Sequence, residues 1–402
     1  MTDDAGAVRV DPILVLGIDP RLTTPGYFFA LTDALGQLPD LQINRAWSPT
    51  AGRTFSAEPD FLLFSRLMTA TSHVPLHGRI VNTLCRLTYR NQLARLAKFV
   101  RTERHSLVHI NWSFSPEIEL PFVREIQSMG IPVVFTAHNA VPHGRTDPSG
   151  AAVELYRAVD HIVALTEYVK NEILEGTGLP NHRVTVIPHG DFTADVMPSA
   201  PASAPTPPFP GHRTVVCLGM IRPYKGVPDL LDAWPFVLEA CPDARLIVAG
   251  RLYWEARREV HRAWRRLDDL QSTVHREFDY LPGDRFGAYL EAATLLVQPY
   301  RSASQSGNTV HAYGKGVPVV CTRVGGLPEM VDTGRTGAVA ESNSPESLAA
   351  AIVGVLEANA NGELSEHCRE MHRTQYNWRT IARTHRDLYR GLVFARAHPS
   401  RD

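Results

Sequence analysis

The chain has 402 residues, 44% hydrophobic and 21% charged, which is ordinary for a soluble globular protein and enough for two or three domains with their own cores. Its 41 Lys and Arg against 42 Asp and Glu leave a formal charge of −1, so no global field recruits nucleic acid. Five scattered cysteines without a C-x-x-C argue against a disulfide framework or a zinc site, and no run of about 18 apolar residues could span a bilayer.

The N-terminus, MTDDAGAVRVD, is acidic and lacks a basic segment ahead of an apolar one, so no secretory signal is expected and the chain reads as cytoplasmic. Short β-branched-rich runs at 13–18, 107–111, 132–136, 161–164 and 184–187 read as strands, and 27–35, 118–129 and 168–175 as helices. From 61 to 102 there is no Asp or Glu, while Arg66, Arg79, Arg86, Arg90, Arg95, Lys98 and Arg101 recur among apolar residues. Such a basic amphipathic stretch can rest on an anionic membrane as a peripheral contact, or bury its apolar face and leave its arginines in water. The run MPSAPASAPTPPFP at 197–210 cannot build a core and reads as an extended spacer. Beyond it, strands at 214–218, 245–249, 295–298 and 318–321 alternate with helices near 227–240, 254–267, 285–293, 308–314 and 345–357, and 376–392 reads as a last helix.

Repeated βα alternation in both halves predicts an α/β protein with two doubly wound, Rossmann-like domains. The expected boundaries are 1–196 for the first domain, 197–212 for a Pro-rich linker, 213–375 for the second domain and 376–402 for a terminal helix and tail. Ligands of such sheets bind beyond the carboxyl ends of the strands, so a cleft between the domains is the expected site.

Two segments of the second half suit a phosphate. Arg222 and Lys225, in Gly219-Met220-Ile221-Arg222-Pro223-Tyr224-Lys225-Gly226, follow a strand, where a guanidinium and an ammonium suit a diphosphate; the alternative is a solvated basic loop. Ser304-Gln305-Ser306-Gly307-Asn308 precedes a helical run, and the unpaired N–H groups of a helix start attract anions. The alternative there is any αβ unit with a glycine turn. His138 stands where a buried strand ends, a place that serves structure as readily as chemistry. Glu329 could orient a ligand or simply sit at a helix N-terminus, and Asp268-Asp269 reads as a solvated face rather than a metal pair. No G-x-x-x-x-G-K-[ST], G-x-S-x-G, H-E-x-x-H or G-x-G-x-x-G occurs.

The GVPVV run at 316–320, followed by VGGLPEMV and, after DTGRTG, a polar turn, resembles the C-terminal half of retaining GT-B glycosyltransferases of family 4. Ile221-Arg222-Pro223-Tyr224-Lys225-Gly226, the H-N-x-x-P-H spacing from His138 to His143, and Val186-Ile187-Pro188-His189-Gly190 carry the same resemblance. It implies two Rossmann-like domains with the C-terminal helix crossing back to the first. It also implies a metal-independent hexosyltransferase without a cofactor, moving sugar from a UDP- or GDP-linked donor to a glycan, lipid-linked or small-molecule acceptor with retention. By that resemblance Arg222 and Lys225 clamp the diphosphate and His138 approaches the transferred sugar. His143 and Asn139 face the acceptor. Gln305, Ser306, Gly307, Asn308, His311 and Glu329 hold the donor, and the main chain at Tyr280 and Leu281 meets the base. Many members carry two glutamates separated by seven residues where this chain has Ala303 and His311, so it resembles a subgroup with an S-G-x loop instead. The rival expectations are a catalytically weak sugar-nucleotide-binding or assembly subunit, and an epimerase or phosphorylase of the same fold.

Overall fold

Leu107–Ile110, Val133–Ala137 and His161–Ala164 are buried at every position, as strands covered on both faces must be. The computed structural model describes residues 12–20, 23–48, 58–63, 75–140, 150–191, 208–341 and 344–398. Most of the expected linker, 197–207, and His143 lie outside the described residues. Contacts divide the chain into two units, one of residues up to Leu165, Val169–His189 and Trp378 onward, the other of Thr166–Tyr168 and Gly190–Asn377.

The first unit is built on a parallel sheet of seven strands: β1 (Ile13–Asp19), β2 (Leu41–Trp47), β3 (Phe61–Leu62), β4 (Leu107–Ile110), β5 (Val133–Ala137), β6 (His161–Ala164) and β7 (Val184–Val186). Their order is β3-β2-β1-β4-β5-β6-β7, so the order reverses between β1 and β4. The helices are α1 (Pro25–Gly36), α2 (Pro75–Thr102), α3 (Pro116–Ser128), α4 (Gly150–Ala158) and α5 (Glu167–Thr177). α1 buries Tyr27, Phe28, Phe29 and Leu31. The second half of α2 buries Tyr89, Leu93, Leu96, Ala97 and Val100, while Arg86, Arg90, Arg95, Lys98 and Arg101 face solvent. Over that half the basic amphipathic pattern is a packed helix with a wet outer face.

A last helix, α12 (Trp378–Ala397), belongs to this unit. Ile381, His385 and Tyr389, spaced four apart on one face, are buried. At the rim Arg390 pairs with Asp40 at 3.2 Å and Arg396 with Asp160 at 2.8 Å.

The second unit has six parallel strands: β8 (Arg213–Leu218), β9 (Ala244–Ala249), β10 (Val274–Glu277), β11 (Leu295–Gln298), β12 (Val319–Thr322) and β13 (Gly337–Ala340). They run in the order β10-β9-β8-β11-β12-β13, with the reversal between β8 and β11. Around them pack α6 (Val227–Ala240), α7 (Trp254–Arg266), α8 (Gly283–Glu291), α9 (Gly307–Lys315), α10 (Pro345–Ala358) and α11 (Glu363–Gln375). Trp234, Leu230, Ile352 and Val248 centre the core on one face; Tyr313, Ile247, Val319 and Leu290 centre it on the other. The sequence reading lacks β2, β3, β10, β13, α4 and α11, elements that are short, polar or made of small residues. Asp268 and Asp269 begin a short 3-10 segment, Asp268–Thr273, with Asp268 at φ +48°. Among the described residues no helix is long and apolar enough to cross a membrane.

Candidate functional site

In a doubly wound sheet the loops after the two strands flanking the reversal part to opposite faces and leave a crevice. In the second unit those strands are β8 and β11, and of the predicted phosphate residues Lys225 and the start of α9 come together there. Gly226, after Lys225, has φ +63°, and a Cβ added to it would fall 1.7 Å from the carbonyl oxygen of Pro299, so only glycine lets this loop lie against the end of β11. Lys225 Nζ then rests 3.6 Å from the centre of the Tyr300 ring. The Tyr300 hydroxyl lies near Ser306 and Asn308 at the start of α9 and near Gln298, the last residue of β11. One buried ring thus ties the cation to the helix start.

The start of α9 is open toward an anion. Ser306 is its N-cap by position, but its hydroxyl accepts from Gln298 Nε2 at 2.7 Å rather than from its own helix. Asn308 Nδ2 donates to the carbonyl of Leu218 at 2.7 Å and fastens the first turn to the end of β8. Among the described residues the N–H groups of Gly307 and Asn308 have no acceptor. Behind this loop Gly325 has φ +53°, and a Cβ there would lie 1.6 Å from the carbonyl oxygen of Ala303. The Gly-Gly turn is therefore what lets segment 303–306 approach.

Charge bookkeeping separates the cations. Arg301 is neutralised by Asp229 at 2.6 Å and Glu259 at 2.6 Å, and Lys315 by Glu291 at 2.6 Å. Among the described residues Arg222 and Lys225 have no carboxylate within ion-pair distance. They diverge, however: the Arg222 guanidinium stacks 3.9 Å over Tyr253, beyond β9. Burial lowers the pKa of half-buried Lys225, with Tyr224 and Cys217 opposing the shift.

The other residues expected to hold a donor are more dispersed. His311 lies on α9 edge-on to Phe286, with ring centres 5.6 Å apart. Gln305 is half-buried beside Ser306. Tyr280 is exposed and Leu281 packs into the core, both just past β10, two strands from β8. The Glu329 carboxylate accepts from the N–H groups of Glu167 and Tyr168, at 2.7 Å each, so two backbone donors already occupy it.

The first unit meets its own carboxyl edge with different chemistry. His138 follows β5 and is 8% exposed. The Tyr27 ring meets it edge-on at 4.8 Å, and Trp112 lies at 5.2 Å. One ring nitrogen bonds the backbone of Asn111, while Nε2 is buried without a partner among the described residues. Burial, with His189 nearby, pushes the His138 pKa down to about 3, so the ring is neutral. Asn139 presents its backbone carbonyl to Tyr156 Oη at 3.2 Å. Beneath β5, buried His109 bonds Thr136 Oγ1 at 2.7 Å and Tyr389 Oη of α12 at 2.6 Å.

Sequence reasoning missed the aromatic partners Tyr300, Tyr253, Tyr27 and Trp112, and the anchor Gln298. An aromatic two residues past a buried strand is a faint signal for Tyr300; nothing local marks the rest.

Residues 212–358 match the family model described as Glycosyl transferases group 1, and residues 51–190 match Glycosyltransferase Family 4. A D-inositol 3-phosphate glycosyltransferase from Segniliparus rotundus is 26% identical over 300 residues, 69% of this chain and 64% of that protein. A GDP-mannose-dependent alpha-(1-6)-phosphatidylinositol monomannoside mannosyltransferase of Mycobacterium tuberculosis is 30% identical over 193 residues, 46% of this chain and 49% of that one. The matches thus span just under two thirds of the inositol phosphate relative and about half of the mannosyltransferase. The crystal structure of Anabaena HepE in complex with UDP superposes with a TM-score of 0.66 at 14% identity, over 94% of this chain and 100% of that one. At such identity the likeness concerns the fold, two Rossmann-like units of the GT-B class.

Proposed function

Since its two halves match those models, the chain belongs to the family 4, group 1 glycosyltransferases, and we propose that it transfers a hexose from a nucleotide-diphosphate sugar to an acceptor hydroxyl with retention of configuration. The observation that carries the reading is the crevice at β8 and β11, where Lys225, free of any carboxylate among the described residues, shares Tyr300 with the open start of α9. A diphosphate gains negative charge as the sugar–oxygen bond loosens. A cation and helix N–H groups fixed in advance stabilise that charge more than the ground state. No step runs through a metal or cofactor: Lys225 and the α9 start meet the leaving group, and Arg222, stacked on Tyr253, would have to swing from that ring to join them. The departing phosphate oxygen takes the acceptor proton on the face it leaves, so no carboxylate base is required.

The relatives' donors suggest UDP- or GDP-linked sugars, since one relative is described as GDP-mannose-dependent and a structural neighbour was solved with UDP. His138, neutral with a bare Nε2, accepts a hydrogen bond from a hydroxyl of the sugar or acceptor. Incubating the protein with UDP- and GDP-hexoses and a panel of acceptor alcohols, then resolving products and their anomeric configuration by NMR, tests the proposal. Nucleotide release with an α-linked product from an α-linked donor is expected. Tight nucleotide binding without turnover on any acceptor would favour the binding-subunit reading.

A further inference from the structure

Beside His138 the first unit holds a pocket of about 270 Å³ whose chemistry differs from that of the phosphate crevice. Trp112, Pro116, Phe135, Tyr156 and Ala152 line it together with His138. Among the described lining residues there is no Lys, Arg, Asp or Glu. Its volume is at the small end for ligand pockets, which start at about 300 Å³, and suits one ring rather than a whole glycan. Of the residues that line it, His138 is 92% buried because its exposure is 8%, and its Nε2 has no partner among the described residues. Because the other ring nitrogen donates to the backbone of Asn111, the neutral ring leaves Nε2 as an acceptor of a hydrogen bond.

We propose that this pocket is an acceptor subsite for an uncharged molecule that lays an apolar or aromatic ring against Trp112 and Tyr156 and offers a hydroxyl to His138 Nε2. The inference rests on the glycosyltransferase reading and narrows its acceptor class. A phosphorylated acceptor is disfavoured here: burying a phosphate without a cation is unfavourable, and the described walls supply none. The pocket thereby departs from what the name of the Segniliparus rotundus relative, a D-inositol 3-phosphate glycosyltransferase, would suggest.

Isothermal titration without donor, using the full chain, separates the cases with three probes: phenyl β-D-glucopyranoside, glucose and glucose 6-phosphate. The phenyl glucoside is expected to bind at least tenfold tighter than glucose, and glucose 6-phosphate no tighter than glucose. Ala152→Phe, which fills the pocket from α4, and Trp112→Leu, which removes its wall, should each weaken the phenyl glucoside tenfold or more. UDP or GDP binding, which belongs to the second unit, should be unchanged and serves as the folding control. Tighter binding of glucose 6-phosphate, or phenyl glucoside binding unchanged in both variants, would overturn the subsite while leaving the glycosyltransferase reading standing. Loss of nucleotide binding in the unsubstituted chain would instead strike that reading.

Discussion

Both units end their strands in a row of loops at the carboxyl edge of a parallel sheet, yet the two edges carry opposite chemistry. In the second unit a lysine without a carboxylate partner among the described residues rests on Tyr300 beside the open start of α9. In the first, burial holds His138 neutral among aromatic rings, and the adjoining pocket has no charged residue among its described walls. The sheets are alike; the side chains after the strands are not. One scaffold repeated thus carries two chemistries, because the strands fix where loops emerge and the loop residues set the character of each edge. The second edge suits a group that gains negative charge, and the first suits hydroxyls and ring faces.

The largest expected effect that sharpens this contrast is at His138. His138→Ala should lower kcat for transfer about a hundredfold, as loss of a group that positions the reacting hydroxyl does, while the Kd for nucleotide diphosphate shifts less than twofold. Steady-state kinetics beside calorimetry reads both, and equal losses in the two would erase the proposed division.

Acid should separate the units next. His138 has its pKa depressed to about 3, and His161 and His385 theirs to about 4, against an ordinary 6.5. All three lie in the first unit, where buried His109 is also held well below the usual value. Between those pH values the unfolded chain binds protons that the folded one refuses. The stability from neutral imidazoles is therefore full above about 6.5 and lost as pH falls toward about 4, at up to about 1.4 kcal/mol per pH unit and group. Pulsed hydrogen exchange across that window should show first-unit peptides losing protection before second-unit ones. Simultaneous loss would contradict it.

The smallest effect is expected at Ser306. Because its hydroxyl accepts from Gln298 Nε2, Ser306→Ala leaves a buried donor unpaired and should cost about 1–3 kcal/mol of stability. Donor affinity should fall only about threefold, or 0.6–0.7 kcal/mol, since the N–H groups of α9 remain. A thermal melt paired with nucleotide titration checks both; a much larger loss of affinity would give the hydroxyl a direct contact.

Strands buried on both faces were the most legible part of the sequence. His161–Ala164 and Leu295–Gln298 fall where the apolar runs predict them, since burial on both faces leaves little choice of residue. β2 hides its nature because Asn44 and Arg45 interrupt it. Tertiary partners hold both: His105 Nε2 bonds Asn44 Oδ1 at 3.0 Å, and Arg45 Nε donates to Thr32 Oγ1 at 2.8 Å. β13, Gly-Ala-Val-Ala, has little side-chain signal and is fixed by its pairing with β12. In the candidate site, Lys225 and the start of α9 were singled out by the family resemblance, since loop chemistry alone left a solvated basic loop and a plain glycine turn open. What distinguishes Lys225 from Lys315 was not legible, because the neutralising Glu291 is 24 residues from Lys315. The rings under Lys225 and around His138 come from other strands and helices, and no local pattern reveals them.

The central claim is that the crevice at β8 and β11 binds a nucleotide diphosphate through Lys225. Calorimetric titration of UDP and GDP into the unsubstituted chain and Lys225→Ala tests it most directly. Binding of at least one nucleotide, weakened about a hundredfold, or about 2.7 kcal/mol, by the substitution, is the predicted result. Unaltered affinity in Lys225→Ala, or no binding of either nucleotide to the unsubstituted chain, would contradict it.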